Sequence, residues 1–225
     1  MERLLKARYT VQVDARQVIL VVSMILAACG SAQTDVASSH DALRNGDPSG
    51  PPSLQGLPDV AKGTTGPRTE LGMSLARQVL ETRLPAPPND RSYERLQLWI
   101  DQDVVPWVSA RRDSVEETRF QFGLEKGASA DERVVARAVL GLLQEDTALT
   151  LANIPSPAEL DSEPEVGVMF RDLVRTQSEP FQSAALSEYR DCATRGYEEG
   201  RDLRRWAVFC NTRFDRLEAQ LHAAR

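Results

Sequence analysis

Residues 129–143 read SADERVVARAVLGLL, and their spacing decides the fold. Ser129 followed three positions later by Glu132 is a capping box. The serine hydroxyl accepts from the Glu132 N–H and the carboxylate accepts from the Ser129 N–H, so two unpaired amides of a helix start are satisfied. Behind the box, Val134, Val135, Ala138, Val139, Leu142 and Leu143 recur as pairs four apart, while Arg133 and Arg137 are expected to face away. That period belongs to a helix with one buried side.

The same grammar extends in both directions. Downstream, Ser156-Pro157-Ala158-Glu159 and Ser162-Glu163-Pro164-Glu165 each combine a capping serine, an early proline and an acid in the first turn. Together they predict one short turn and then a helix. That helix carries Val166, Met169, Phe170, Leu173 and Val174, and Ser178-Glu179-Pro180 is expected to begin a final helical pair. Upstream, Leu71, Leu75, Val79 and Leu80 form a first stripe, stopped by the prolines of Leu84-Pro85-Ala86-Pro87-Pro88. A second segment begins near Ser92 and aligns Leu96, Trp99, Ile100, Val104, Trp107 and Val108, with Pro106 predicting a kink or two shorter helices and Ser114 with Glu117 a restart. Alternating runs rich in β-branched residues are missing, and no repeat of about 34 residues is found. The expected fold is all-α, a helical bundle or irregular helical array over residues 69–225.

Composition narrows the function. The chain has 225 residues, with 27 Lys and Arg against 33 Asp and Glu, a net charge of −6. An acidic chain lacks the basic surface that nucleic acid requires, so no nucleic-acid partner is expected. Arginines outnumber lysines 24 to 3, scattered among acids, which reads as compositional bias.

The N-terminus carries Arg3, Lys6, Arg8 and Arg16 against Glu2 and Asp14, and then an apolar run from Val18 to Ala28. Eleven residues are too few to cross a bilayer core, which takes about 20. The layout is that of a signal peptide over residues 1–28. Its last residues, Leu26-Ala27-Ala28-Cys29, resemble the lipobox of bacterial lipoproteins. The resemblance covers residues 1–29 only. It implies export, cleavage before Cys29 and acylation of Cys29, hence a lipid-anchored protein of the bacterial cell envelope held to the membrane through that residue. Gly30 and Ser31 follow where many inner-membrane lipoproteins have aspartate, which favours the outer membrane over the inner. From Gly30 to Arg68, 39 residues hold six glycines, five prolines and five serines without periodicity, so residues 29–68 are expected to be the lipidated cysteine and a disordered tether.

Export assigns the two remaining cysteines. Cys192 and Cys210 in an oxidising compartment are expected to pair. Their positions average 201, beside Gly196 and Gly200, which places them opposite one another in an antiparallel helical hairpin. The bond is read as structural, since a redox pair favours two intervening residues rather than 17.

Catalytic signatures are sparse. The two histidines are His40, in the tether, and His222, near the chain end, so neither suits a Ser-His-Asp triad or a metal site. Asp101 and Asp103 lie two apart on a helix and point in different directions. Trp99, Trp107 and Trp206 have helical spacing among aliphatic residues and are read as core. A peptidoglycan-cleaving enzyme would nominate Glu188 as a general acid, but Glu188 reads as the solvated side of its helix and the motifs of lytic transglycosylases are missing. No catalytic residue, cofactor or metal is therefore assigned. The expected function is non-catalytic: a lipid-anchored helical domain engaging an envelope protein partner, with a periplasmic ligand-binding helical module as the alternative.

Overall fold

The computed structural model describes residues 52–58, 66–124 and 127–223. Cys29 with its lipobox and His40 lie outside the described residues, as does the side chain of His222. Among the described residues there are six α-helices and no strand: α1 (Pro67–Glu81), α2 (Tyr93–Trp99), α3 (Val105–Gln121), α4 (Ala130–Ala152), α5 (Pro164–Glu198) and α6 (Arg204–Ala223). The all-α reading holds.

Helix α4 is the axis. Both hydrogen bonds of its capping box form, at 2.8 and 3.2 Å. The Glu132 carboxylate also accepts from the Gly66 N–H at 3.2 Å and the Thr69 hydroxyl at 3.3 Å, so one side chain ties the starts of α1 and α4 together. Helices α1, α3, α5 and α6 all pack against α4. Ala136 and Leu140, which lie off the predicted stripe, are consequently buried too. A second cluster forms where Leu96, Trp99, Val104 and Trp107 meet Ala148, Leu151 and Phe181. The two indoles donate to the Pro85 and Thr82 carbonyls at 3.2 and 3.1 Å, which fixes the proline-rich link between α1 and α2. All three tryptophans are core, as expected.

The final hairpin also follows expectation. Gly200 adopts φ of 124°, a conformation open to glycine, and turns the chain between α5 and α6. At Gly196 the helices approach so closely that a Cβ would lie 3.0 Å from the Ala207 Cβ. Cys192 and Cys210 face each other there, with Cα atoms 6.0 Å apart, and form the disulfide.

Several local expectations are corrected. No helix begins at Ser178; α5 runs 35 residues straight through Pro180. The buried Ser178 hydroxyl donates to the Arg175 carbonyl at 2.7 Å and accepts from the Gln182 amide at 2.9 Å, so it is not free to cap. A proline inside a helix costs about 3 kcal/mol. Burial of Phe181 and Ala185 on the same stretch offsets much of that. Around Pro106 two shorter helices are found, as expected, but α2 and α3 are joined without a gap. One π turn, Ile100–Val104, precedes α3, and the proline falls in the first turn of α3 where its missing N–H is tolerated. Ser114 donates to the Ala110 carbonyl within α3 rather than starting a new helix. Ser92 makes no side-chain cap; the Glu159 carboxylate accepts from the Tyr93 N–H instead, at 3.1 Å.

The body also reaches into the segment read as a tether. Leu54–Gly56 form a 3-10 turn capped by Ser53, Leu54 and Leu57 pack on the main core, and α1 already starts at Pro67. Leu71 and Met169, placed on buried stripes by periodicity, are exposed. Gly72 replaces Leu71 at the α1 contact, because the Phe122 ring lies where a Gly72 side chain would start, 2.6 Å from a Cβ.

That seat yields a test. Phe122 is fully enclosed, so Gly72→Ala is expected to destabilise by about 2 kcal/mol despite alanine's better helix propensity. Gly56→Ala has nothing within 4 Å and serves as the control in urea unfolding, where it should leave the midpoint nearly unchanged.

Candidate functional site

Among the described residues three acidic side chains are buried: Glu145 and Asp146 at the middle of α4, and Glu188 on α5. Neighbouring positions on a helix point about 100° apart, so Glu145 and Asp146 meet different elements. Glu145 turns to α5 and α6. It accepts from the Tyr189 hydroxyl at 2.6 Å and pairs with the Arg213 guanidinium at 3.1 Å. Gly141, one turn before Glu145, makes room for the tyrosine, since a Cβ there would lie 2.5 Å from the ring.

Asp146 turns to α3. It pairs with Arg111, whose Nε donates to the Thr147 hydroxyl at 3.2 Å and whose guanidinium lies 5.1 Å from the Trp107 ring centre. Arg83, from the link after α1, approaches the same carboxylate at 3.5 Å. Glu188 is held between Arg119 of α3 at 2.8 Å and Arg137 of α4 at 2.7 Å. Each pair therefore bridges two segments.

Burial shapes the protonation of these groups. Desolvation pushes the Glu145 and Asp146 carboxyls above the ordinary carboxylate range, against the pull of Arg213 and Arg111 respectively. Arg111 is shifted downward, also by burial, so desolvation works against the charged form of both members of its pair. The attraction within the pair does not offset the loss of water. Burial, and then the neighbouring Glu145 charge, raise the Tyr189 phenol well above its usual value. Glu132 moves the other way, held low chiefly by its hydrogen bond from the Ser129 backbone.

A carboxyl of raised pKa inside an apolar site is the property a general acid needs. Access is the second requirement, and Glu145 is only 1% exposed. One open groove lies elsewhere. A groove of about 450 Å³ between α1 and α3 is lined by Leu75, Gln78, Val79, Thr82, Asp113, Ser114 and Glu117, and none of the three buried carboxylates reaches it. Among the described residues, no three His, Cys, Asp or Glu side chains gather as metal ligands.

The sequence reading of Glu188 as a solvated residue is overturned: Arg137, expected to face away, crosses to meet it and the carboxylate is buried. Asp101 is exposed and accepts from Gln97 at 3.0 Å, consistent with a surface role. Cys192 and Cys210 are fully enclosed, which suits a structural bond. Glu145, Asp146, Arg111 and Arg213 were not singled out by the sequence. The available signal was Gln144-Glu145-Asp146, a polar triplet directly after the apolar run Ala138–Leu143. Comparison of the chain with protein families, curated proteins and solved structures returns no match.

The opposed shifts predict opposed pH dependences. Glu132, with its lowered pKa, contributes stability that is present above the unfolded pKa and lost as pH falls through the folded one. The deficit of Glu132→Gln against wild type is therefore largest near neutral pH and shrinks toward about pH 3. Glu145 and Asp146, with raised values, hold protons more tightly folded than unfolded, so their contribution declines as pH rises through that window. Glu145→Gln and Asp146→Asn should compare better with wild type near pH 7 than near pH 3, as urea unfolding at the two pH values would measure.

Proposed function

We propose that this chain is a lipid-anchored protein of the bacterial cell envelope whose helical body serves non-catalytically as a docking platform for a protein partner. The observation that carries the reading is the N-terminal order of basic residues, an eleven-residue apolar run and Leu26-Ala27-Ala28-Cys29. An acyl chain contributes about 0.8 kcal/mol per buried methylene, and more than one chain gives stable attachment. Removing residues 1–28 leaves 23 basic and 31 acidic residues, so the polypeptide itself gains little from an anionic surface and the lipid on Cys29 is its hold on the membrane. Cys29 next to Gly30 and Ser31 favours the outer membrane.

Features of the body agree with this role. Among the described residues, no helix is long and apolar enough to cross a membrane. The disulfide between Cys192 and Cys210 suits an oxidising compartment. Both oxygens of Glu188, the glutamate nominated for peptidoglycan cleavage, are engaged by arginines, which gives a catalytic reading no support. The alternative, a periplasmic ligand-binding module, shares the anchor and differs in what the α1–α3 groove accepts.

Intact mass of protein extracted from membranes tests the anchor. The expected species begins at Cys29, carries two or three acyl chains and lacks two hydrogens for the cysteine pair, and Cys29→Ala abolishes the acylated form. An unacylated product, or one retaining residues 1–28, overturns the reading.

A further inference from the structure

The α1–α3 groove has a consistent chemistry. Leu75, Gln78 and Val79 of α1 and its C-cap residue Thr82 line one side, at the spacing of a single helix face, and span about 10 Å. Asp113, Ser114 and Glu117 line it from α3. The aliphatic side chains are Leu75 and Val79, and no lining residue is basic.

Its hydroxyls are already oriented. Thr82 donates to the Gln78 carbonyl at 2.9 Å and Ser114 to the Ala110 carbonyl at 2.8 Å. Each hydroxyl proton is committed to its own helix, which leaves oxygen lone pairs as what these side chains offer a visitor. Asp113 and Glu117 add carboxylates one helical turn apart, both exposed, and Glu117 accepts from Gln121 at 2.5 Å. Among the lining side chains Gln78 alone carries N–H donors. A surface made of acceptors and negative charge rejects phosphate and carboxylate groups and takes a group made of donors. The half-buried Leu75 side chain beside it matches the methylene stem of arginine or lysine, while Val79 beneath belongs to the core.

We infer that the α1–α3 groove is the docking site for a basic, amphipathic segment of a protein partner, with an arginine or lysine stem laid on Leu75 and its cationic head between Asp113 and Glu117. This rests on the docking reading above and specifies its partner. The charge complementarity is local to the groove, so it is separable from the net charge of the chain.

The test uses the full chain in nonionic detergent and a fluorescent helical peptide of leucines and alanines with arginine at every fourth position. A twin peptide with glutamate in place of arginine is the control. Saturable binding of the arginine peptide and none of its twin are expected. Asp113→Asn with Glu117→Gln should weaken binding about fivefold, as the loss of two partly exposed charge contacts implies. Glu94→Gln with Glu198→Gln removes the same net charge at other exposed positions and should leave the affinity unchanged. Equal weakening by both pairs of substitutions, or by neither, overturns the proposal. Saturation by spermidine at lower concentration than by the peptide also overturns it, in favour of a small polyamine. Peptide binding does not require acylation, so an unacylated Cys29 with an intact groove defeats the envelope reading alone. An acylated chain without saturable binding defeats the groove alone.

Discussion

Packed against four other helices, the central stretch of α4, residues 138–148, has no solvent side on which to leave charges, yet it carries Glu145 and Asp146. The rest of the bundle is arranged around that constraint. An isolated buried carboxylate would lose several kcal/mol of hydration, and only partners brought by the surrounding helices reduce the loss. Tyr189 and Arg213 arrive from α5 and α6, and Arg111 arrives from α3. The placement of those helices is therefore tied to two adjacent positions on the axis. The upward shifts of both carboxyls show that the pairs do not restore what burial removes. Apolar packing on α4 supplies the stability, and the buried pairs act as a condition on how the helices dock. Any alternative packing that separated one partner would leave a charge stranded.

Arginine suits this arrangement better than lysine. Its planar fork satisfies a carboxylate while other nitrogens reach a second acceptor, and it stacks on an aromatic face. Arg111 does all three, with Asp146, Thr147 and the Trp107 ring. Arg119 and Arg137 share Glu188 and so join α3, α4 and α5 at one point. Reading the excess of arginine as compositional bias misses these positions. A lysine at Arg111 would reach one acceptor and lose the stacking.

The elements that were legible in the sequence are those decided locally. The capping box at Ser129, the proline stop after Leu84, the tryptophan core and the hairpin between Cys192 and Cys210 each depend on residues close in sequence or on a simple symmetry of positions. What was not legible depends on a distant partner. Ser178-Glu179-Pro180 carries every local signal of a helix start, but the surface of α4 next to Phe181 keeps α5 continuous. Glu188 looks solvated on its own helix, and only the folded position of Arg119 and Arg137 shows otherwise. The same holds at Gly72 and Gly141, whose lack of a side chain matters because Phe122 and Tyr189 occupy the space. Periodicity reports which side of a helix is apolar, and the central stretch of α4 has no other side to report.

This division also bears on what the body can do. The groups with the most perturbed protonation are the ones sealed in the core, each bonded to more than one neighbour. The groove between α1 and α3 lies apart from them and is lined by Leu75, Gln78, Val79 and Thr82 on one side and Asp113, Ser114 and Glu117 on the other. Because α1 is tied at its start to α4 by Glu132, and at its end to α2 and α3 through Trp99 and Trp107, the wall formed by Leu75 to Thr82 is held at both ends before any partner arrives. Such pre-ordering reduces the entropy that association must remove, which is what lets a small contact area carry specificity.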